Sequence, residues 1–456
     1  MSSGVAEVNP QYLAEMDSSA IPVGYKQTEV GVIPEDWGVV PIGSLCTIFG
    51  RIGFRGYTKA DIVDEDQGVL SISPSNIFQG TVNFDHGTYI SWSKYHESPE
   101  IQIFNGDVLL VKTGSTYGKV GLVNSLEREA TLNPQVVVLK KIKCPSPLLA
   151  YVMQFELVQN QIEETIVGGA IPTLSQKAVA NYLVPIPIKQ HEQTAIANAL
   201  SDVDSLITSL TKLIAKKQAI KTATMQQLLT GRTRLAQFAL REDGIPKGTK
   251  TSELGEIPED WEVVTLGDIA EVRMCKRILS YQTAKNGEIP FFKIGTFGGE
   301  PDAYISTSLY REFKAKFSYP EKGDVLISAA GTLGKMVVYD GRPSYFQDSN
   351  IVWLEIDKRK ISNEYLYQYY KVIKWASSEG STISRLYNGI IKASVIGIPS
   401  LAEQTAIATI LSDMDEEIQA LKQRLGKTRQ IKQGMMQELL TGKTRLIKPS
   451  KEVIHE

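Results

Sequence analysis

Two stretches of the chain carry apolar residues at alternating spacings of four and three, the pattern of a helix that buries one narrow stripe. The first stretch follows Pro185 and Pro187, which cannot lie inside a helix, and the second follows Pro399. Both end at Leu-Leu-Thr-Gly, where Gly231 and Gly442 suit a left-handed helix cap. We therefore predict two long helices that pair with each other. The predicted seam positions are Ile196, Leu200, Val203, Ile207, Leu210 and Ile214 in the first helix and Ile407, Leu411, Met414, Ile418, Leu421 and Leu425 in the second.

The segments that precede these helices have a different pattern. Short apolar runs bounded by Gly, Pro, Asn and Asp are typical of strands, and helical spacing closes each segment. We therefore predict an α+β fold in which two mixed domains each precede a long helix. The runs are Val136–Leu139, Ile351–Ile356, Gly106–Val111 and Gly323–Ser328, and the helical stretches are Leu148–Ile166 and Glu364–Ser377. The predicted order is a tail (1–20), a first domain (21–188), the first long helix (189–235), a linker (236–250), a second domain (251–400), the second long helix (401–447) and a tail (448–456).

The chain is a tandem duplication. Glu192–Leu235 returns at Glu403–Leu446 with 24 of 44 positions identical, and Ile21–Leu45 aligns without a gap on Ile245–Ile269 with 14 of 25 identical. The middles of the two copies align poorly. The duplication therefore preserved the ends of each copy, and we predict that the middles perform one task twice with different specificity.

Composition restricts the class of protein. The 456 residues, 42% hydrophobic and 22% charged, are enough for two to four domains, and the three cysteines are too far apart for a disulfide framework or a metal pair. We expect the cysteines to be buried small apolar residues. We also expect a cytoplasmic protein, because no apolar run is long enough for a membrane span and the first residues lack a signal pattern.

The net charge of −2 does not indicate a nucleic-acid binder, but the basic residues cluster on the two predicted helices. Two interpretations stay open: a solvated helix face, or a contact with DNA phosphates or an acidic partner. The first cluster is Lys212, Lys216, Lys217, Lys221, Arg232, Arg234 and Arg241, and the second is Lys422, Arg424, Lys427, Arg429, Lys432, Lys443 and Arg445.

The combination of repeated motifs is specific to one protein family. It consists of the paired G-x-I-P-x-x-W heads, the Gly-Asp-Val-Leu strands with a following glycine turn, the proline exits and the EQxAIAxxLSDxD…LLTGxTRL helices. The chain resembles the DNA-specificity subunit of type I restriction-modification systems over essentially its whole length. The resemblance implies two target recognition domains, one for each part of a bipartite asymmetric DNA site. It also implies that the two helices form an antiparallel coiled coil with pseudo-two-fold symmetry that spaces the domains.

The resemblance also implies the partners. The family's subunit has no catalytic activity, and it binds double-stranded DNA, two adenine methyltransferase subunits and two restriction subunits that translocate and cleave DNA. S-adenosylmethionine, ATP and Mg belong to those partners, and this chain is expected to hold no cofactor or metal. A helix of about 39 residues spans ~57 Å at 1.5 Å per residue, which is long enough to space two domains.

Two features repeated in both copies are candidates for DNA contact. A glycine turn follows each Gly-Asp-Val-Leu strand, and its amides and lysine suit phosphate binding, although a plain tight turn explains it equally well. A loop precedes each proline exit, over Gly168–Ser175 and Gly380–Tyr387, and resembles the family segment that approaches DNA, although a structural loop is the alternative. The candidates are Thr116 and Lys119, with Thr332 and Lys335, in the turns, and Thr173, with Arg385 and Tyr387, in the loops.

Basic and aromatic residues also alternate near the start of each diverged middle, a composition that suits phosphate and base-edge contacts but also ordinary surface loops. These candidates are Arg51, Arg55, Tyr57 and Lys59 in the first copy and Arg273, Lys276, Arg277 and Tyr281 in the second. Trp37 and Trp261 follow a Pro-Glu-Asp turn and precede a pair of valines. We predict that both lie in the core rather than on a stacking surface.

Two motifs that suggest catalysis are incomplete. Gly442–Thr444 ends like a phosphate-binding loop, but Gln437 stands where its first glycine is required. Thr131–Gln135 (TLNPQ) lacks the second proline and the aromatic residue of an adenine methyltransferase motif. Two alternatives to a type I specificity subunit remain: the same subunit in a type IIB-like combined enzyme, and a structural adaptor without DNA contact.

Overall fold

The computed structural model describes residues 21–165, 173–373, 375 and 385–446. The described residues form two compact units, one built from those at 21–210 and 424–446 and the other from those at 211–423. We call them unit 1 and unit 2. Each long helix contributes one part to each unit, so unit 1 combines two separate segments of the sequence, whereas unit 2 is one continuous segment.

The two long helices have the predicted positions. They span Gln190–Leu229 and Leu401–Leu440, 40 residues each. Gly231 and Gly442 follow with the same positive φ of 70°, and the amide of each donates to a carbonyl three residues earlier. The predicted glycine caps are therefore confirmed.

Unit 1 contains two larger sheets and two strand pairs. The six-stranded sheet has the order Thr47–Gly50, Val136–Lys140, Val108–Val111, Val120–Leu122, Gly80–Val82 and Ile77–Phe78, and the four-stranded sheet has the order Ala130–Leu132, Gly68–Ile72, Thr88–Ser91 and Ile62–Val63. The pairs are Tyr25–Thr28 with Gly31–Pro34 and Trp37–Pro41 with Leu183–Pro187. The shorter α-helices are Ile42–Leu45, Trp92–His96, Ser146–Gln154, Glu156–Thr165 and Gln176–Asn181, and the 3₁₀-helices are Gly53–Arg55, Lys59–Asp61, Glu65–Gln67, Pro74–Asn76 and Pro99–Ile101.

As far as the structure describes it, unit 2 has fewer strands than unit 1. Its four-stranded sheet has the order Ala270–Arg273, Ile351–Ile356, Val325–Ser328 and Met336–Val338, and its three-stranded sheet has the order Tyr304–Ile305, Ile289–Phe292 and Tyr345–Phe346. The strand pairs are Thr249–Ser252 with Gly255–Pro258 and Glu262–Thr265 with Val395–Ile398. The shorter helices are Ala236–Ala239, Leu266–Ile269, Thr307–Lys316, Asn363–Tyr370, Asn388–Ala393 and the 3₁₀-helix Ser280–Gln282.

The diverged middles share one topology. In each unit the strand that opens the middle pairs antiparallel with a buried strand, and that buried strand also pairs with the Gly-Asp-Val-Leu strand. The Gly-Asp-Val-Leu strand pairs in turn with a strand after the glycine turn. A parallel pair also recurs, as Gly68–Ile72 with Ala130–Leu132 and as Ile289–Phe292 with Tyr345–Phe346. Because strand order survives where sequence identity does not, the middles differ mainly in the side chains they present.

Four sequence-based elements have different bounds in the structure. The two Gly-Asp-Val-Leu strands begin at Val108 and Val325, because Gly106 and Gly323 form turns with a φ of 94°. The predicted helix Leu148–Ile166 is two helices, interrupted at Phe155, whose ψ of 146° is extended. The predicted stretch Glu364–Ser377 is helical over Asn363–Tyr370. Residues 166, 374, 376 and 377 lie outside the described residues.

Within each unit, parts of the two long helices run antiparallel. In unit 1, the ammonium of Lys432 lies 2.8 Å from the carboxylate of Asp204. In unit 2, Lys217 lies 2.7 Å from Glu417, and Lys221 pairs with Asp415. The predicted seam positions are buried or half-buried throughout. The expected antiparallel pairing is thus present.

The cores join the helices to the domains. In unit 1, Ile196 and Leu200 share a buried cluster with Leu439 and Leu440, and the same cluster contains Trp37. Unit 2 has the equivalent cluster around Trp261. Both tryptophans are 1% exposed, so the prediction that they lie in the core is confirmed. The three cysteines are buried as expected, and burial raises the thiol pKa of Cys46 and Cys275 to about 12 and that of Cys144 to about 11.

Candidate DNA interface

The glycine turns have matching geometry in the two units. Gly114 and Gly118 have positive φ values of 104° and 79°, and the Gly118 amide donates to the carbonyl of Val111. In unit 2, Gly331 and Gly334 have values of 67° and 73°. These positive φ values explain why both turns need glycine at these positions. Lys119 and Thr332 are exposed at the turns, and Thr116 is half-buried.

The predicted loops lie beside these turns. Thr113 forms an antiparallel bridge with Thr173, and Ala330 forms the same bridge with Arg385. Backbone hydrogen bonds from Leu174 to Lys112 (2.8 Å) and from Leu386 to Ala329 (2.9 Å) complete the contact. Residues 168–172 and 380–384 of the predicted loops lie outside the described residues. In each unit the turn and the end of the loop therefore form one surface, which we call the turn-loop surface.

The matched lysines of the two turns differ in their contacts. Both lysines are exposed, but the ammonium of Lys335 donates to the carbonyl of Phe297 over 2.5 Å, whereas the Lys119 side chain has no hydrogen-bond partner among the described residues. Arg385 is half-buried, and its Nη2 donates to the Ser349 carbonyl over 2.9 Å. Tyr387, two residues later, is 52% exposed. Thr173, at the position of Arg385, is exposed.

The basic cluster of unit 1 is largely engaged within the protein. Arg51 is 5% exposed, and its guanidinium donates to the Leu132 carbonyl, the Thr131 hydroxyl and the Arg55 carbonyl. Arg55 lies 3.5 Å from the Glu100 carboxylate, and the Tyr57 hydroxyl accepts from the Asn133 amide over 2.7 Å. Lys59 is exposed. These contacts favour a structural role for Arg51, which orders the loop that carries the other candidates.

The basic cluster of unit 2 is more open. Arg273 pairs with Glu355 at 2.5 Å, and Arg277 pairs with Asp348 at 2.8 Å while 65% of its side chain stays exposed. The Lys276 ammonium lies 5.1 Å from the centre of the Phe317 ring, and Tyr281 is 81% exposed. Beside Arg277 is a cavity of about 380 Å³, lined also by Lys293, Asp348, Ser349 and Asn350.

Sequence reasoning missed one arrangement, an ion triad that occurs in each unit. In unit 1 the Arg445 guanidinium donates two hydrogen bonds to Asp36, both 2.8 Å, and two to Glu192, of 2.6 and 2.8 Å. Unit 2 has the same triad, formed by Arg234, Asp260 and Glu403. The signal was present in the sequence, because all three residue types are identical in the two copies.

The triads have electrostatic consequences. The hydrogen bond from Arg445 holds the pKa of Asp36 below its usual value, although burial opposes the shift. Burial raises the pKa of Asp260, but the bonds from Lys247 and Arg234 lower it further, so its net shift is downward. Part of the basic surface predicted from the sequence is therefore neutralised within the chain. Lys212, Lys216, Arg232, Lys427, Arg429 and Lys443 are exposed and, among the described residues, form no ion pair.

The described residues contain no group of three His, Cys, Asp or Glu side chains placed to hold a metal ion. Within the same ranges, no helix combines the length and the apolar character needed to cross a membrane.

Comparisons with known proteins agree with this architecture. The family model for the type I restriction modification DNA specificity domain matches residues 34–222 and 258–432. The chain is 56% identical over 163 residues to a type I restriction enzyme specificity subunit assigned in Haemophilus influenzae, an alignment that covers 36% of this chain and 42% of that protein. It is 25% identical over 433 residues to the MjaVIII specificity subunit of Methanocaldococcus jannaschii, covering 91% of this chain and 94% of the relative.

A solved structure shares the fold. The S subunit of a type I restriction-modification system from M. genitalium superposes with a TM-score of 0.54 at 18% identity, over 89% of this chain and 96% of that one. Because the family model matches both halves of the duplication, the chain belongs to the DNA-specificity family of type I restriction-modification systems.

Proposed function

We propose that the chain selects a bipartite asymmetric DNA site, with one turn-loop surface for each half-site. The observation that carries this proposal is the repetition of one turn-loop geometry in two units whose side chains differ: Thr173 stands in unit 1 where Arg385 stands in unit 2. The backbone contacts that the two turn-loop surfaces share support binding to the uniform DNA backbone. Unequal side chains support recognition of different bases.

The proposal extends to the partners that the family resemblance implies. The chain scaffolds two adenine methyltransferase subunits and two restriction subunits in the cytoplasm, and those partners use S-adenosylmethionine, ATP and Mg. The methyltransferases flip the target adenines out of the duplex. Each long helix extends ~60 Å at 1.5 Å per residue, which supports a role as a rigid spacer between half-sites.

The test compares Arg385→Ala with Lys119→Ala in the assembled methyltransferase complex. Arg385 can donate two hydrogen bonds to guanine, so its loss should cost about 1–3 kcal/mol on the cognate site and relax discrimination at one position. Lys119 is matched by Lys335 and suits a phosphate contact. Its loss should weaken binding to all sequences alike and reduce the salt dependence by about one ion.

Equilibrium binding to duplexes with single substitutions, at several salt concentrations, measures both effects. Equal losses on cognate and altered sites for Arg385→Ala would place this residue among the backbone contacts. If the wild-type complex bound no DNA at all, the chain would be an adaptor and the proposed function would fail.

A further inference from the structure

The segment Thr131–Gln135, which lacks the residues of a methyltransferase motif, occupies a defined place in the fold. It leads from the parallel strand Ala130–Leu132 into the buried strand Val136–Lys140. The equivalent segment of unit 2 is Phe346–Asn350, between the strands Tyr345–Phe346 and Ile351–Ile356. Neither segment has been given a role in the proposed function so far.

The last residues of these segments are equivalent in position. The carbonyl of Gln135 accepts from the amide of Lys112 over 2.8 Å, and the carbonyl of Asn350 accepts from the amide of Ala329 over 2.8 Å. Lys112 and Ala329 are also the residues whose carbonyls accept from Leu174 and Leu386. Lys112 and Ala329 therefore each bind both the segment and the loop, and they fix the segment to the turn-loop surface.

The side chains at this position are both carboxamides. Gln135 is exposed, and its amide nitrogen lies over Gly114, 3.3 Å from where a Cβ of that residue would be. Asn350 lines the cavity of about 380 Å³ beside Arg277. Among the described residues, neither carboxamide has a hydrogen-bond partner. The backbone is anchored while the donor and acceptor of each side chain remain available.

A carboxamide has one donor and one acceptor at the spacing of the adenine N7 and N6 atoms in the major groove, and it forms a bidentate pair with that base. We infer that Gln135 and Asn350 each recognise one adenine, an inference that rests on the proposed function. Gln135 recognises its adenine in the half-site of unit 1, and Asn350 does so in the half-site of unit 2. The two units then share this contact, whereas position 385 distinguishes them.

The experiment uses the full chain with its methyltransferase partners, and methylome sequencing gives the recognised motif. Gln135→Ala should make one A·T pair degenerate in one half-site, and Asn350→Ala should do so in the other half-site. Affinity for the cognate duplex should fall about 5- to 100-fold in each variant. The exposed carboxamides Gln67 and Asn286, as Gln67→Ala and Asn286→Ala, serve as controls and should leave the motif unchanged.

A modified base isolates the contact. Replacing the assigned adenine by 7-deazaadenine removes the N7 acceptor, so the wild-type complex should bind the modified duplex more weakly than the unmodified one. The corresponding alanine variant, which lacks the contact, should bind the two duplexes equally. An unchanged motif, or degeneracy at a G·C pair, would overturn the inference. A wild-type complex that methylated no two-part motif would instead contradict the proposed function. Unchanged thermal unfolding of both variants checks that the fold is intact.

Discussion

The two units differ in side chains on their turn-loop surfaces, but they have the same residue types where each head packs against the end of a long helix. In unit 1, Gly442 lies against Pro34 and Trp37, and in unit 2, Gly231 lies against Pro258 and Trp261. The same residue types meet in both places. The turn-loop surfaces share their backbone hydrogen bonds, their turn glycines and a lysine, but they differ at Thr173 and Arg385. The comparison indicates that packing between each head and a helix end constrains the sequence tightly, whereas the surface proposed for DNA contact does not.

Among the described residues, the ion pairs between the two long helices follow the same division with one exception. The ion triads are equivalent, and the pair of Lys432 with Asp204 in unit 1 matches that of Lys221 with Asp415 in unit 2. Lys217 and Glu417 form a pair in unit 2 only, because the copy positions are Thr428 and Leu206.

The largest effect is expected at the glycine cap. A Cβ on Gly442 would lie 2.4 Å from Cγ of Pro34, and its φ of 70° disfavours other residues. Gly442→Ala should therefore lower the free energy of unfolding by about 2–5 kcal/mol. Gly434→Ala is the matched control, because Gly434 is exposed inside the same helix with open space around it, and this change should stabilise by about 0.5–1 kcal/mol. Denaturant melts measure both, and equal effects would show that the close approach to Pro34 is unimportant.

The sequence predicted the long helices well because their buried stripe is a local property. Spacing of apolar residues located both helices, and glycine marked both ends. The shared topology of the middles was missed, since a buried strand requires only apolar residues and leaves little identity to align. The break at Phe155 was also missed, because the apolar periodicity continues across it.

The candidate site was less predictable, for a different reason. Arg51 belongs to a sequence cluster typical of DNA contacts, but two of its three hydrogen-bond acceptors lie on a strand 80 and 81 residues away. The ion triad joins Arg445 to Asp36, 409 residues earlier, and no local pattern indicates such a pairing. The pairing of turn and loop likewise required the sheet. Which residues are placed together is a property of the tertiary structure.

The second prediction concerns the triads. Arg445→Ala removes the cation that pairs with Glu192, whose side chain is 3% exposed. The variant should lower the free energy of unfolding by about 2–4 kcal/mol. Most of this loss comes from Glu192, because Asp36 is partly solvated and its ion pair contributes less. Hydrogen exchange should show lost protection at residues 25–34 and 190–200, with residues 249–258 unchanged. Arg234→Ala should give the reciprocal pattern. Lys443→Ala, an exposed neighbour, should change neither, and loss of protection in both units would contradict independent triads.

The third prediction is the pH dependence of the same contact. Because the pKa of Asp36 is lower in the folded state than in the unfolded state, its contribution to stability is complete above the unfolded value of about 4. That contribution is lost as the pH falls through the folded pKa. The stability difference between wild type and Arg445→Ala should therefore stay constant from pH 5 to 7 and shrink below about pH 4. Urea melts across this range measure it, and a difference that grows in acid would have the wrong sign.

The smallest effect is expected at the unshared pair. The side chains of Lys217 and Glu417 are 35% and 47% exposed, so solvent screens their attraction, and such pairs contribute about 0–1 kcal/mol. Replacing them by the residues of the other copy, Lys217→Thr with Glu417→Leu, should change the unfolding free energy by no more than about 1 kcal/mol. The double variant should also remove part of the salt dependence of stability. Lys432→Ala is the contrast, since its side chain is 15% exposed, packs 5.2 Å from the centre of the Tyr151 ring and pairs with Asp204. A larger loss of unfolding free energy in the double variant than in Lys432→Ala would contradict this prediction. It would mean that the Lys217–Glu417 pair fixes the register of the helices in unit 2, and that unit 1, which lacks the pair, fixes its register by other contacts.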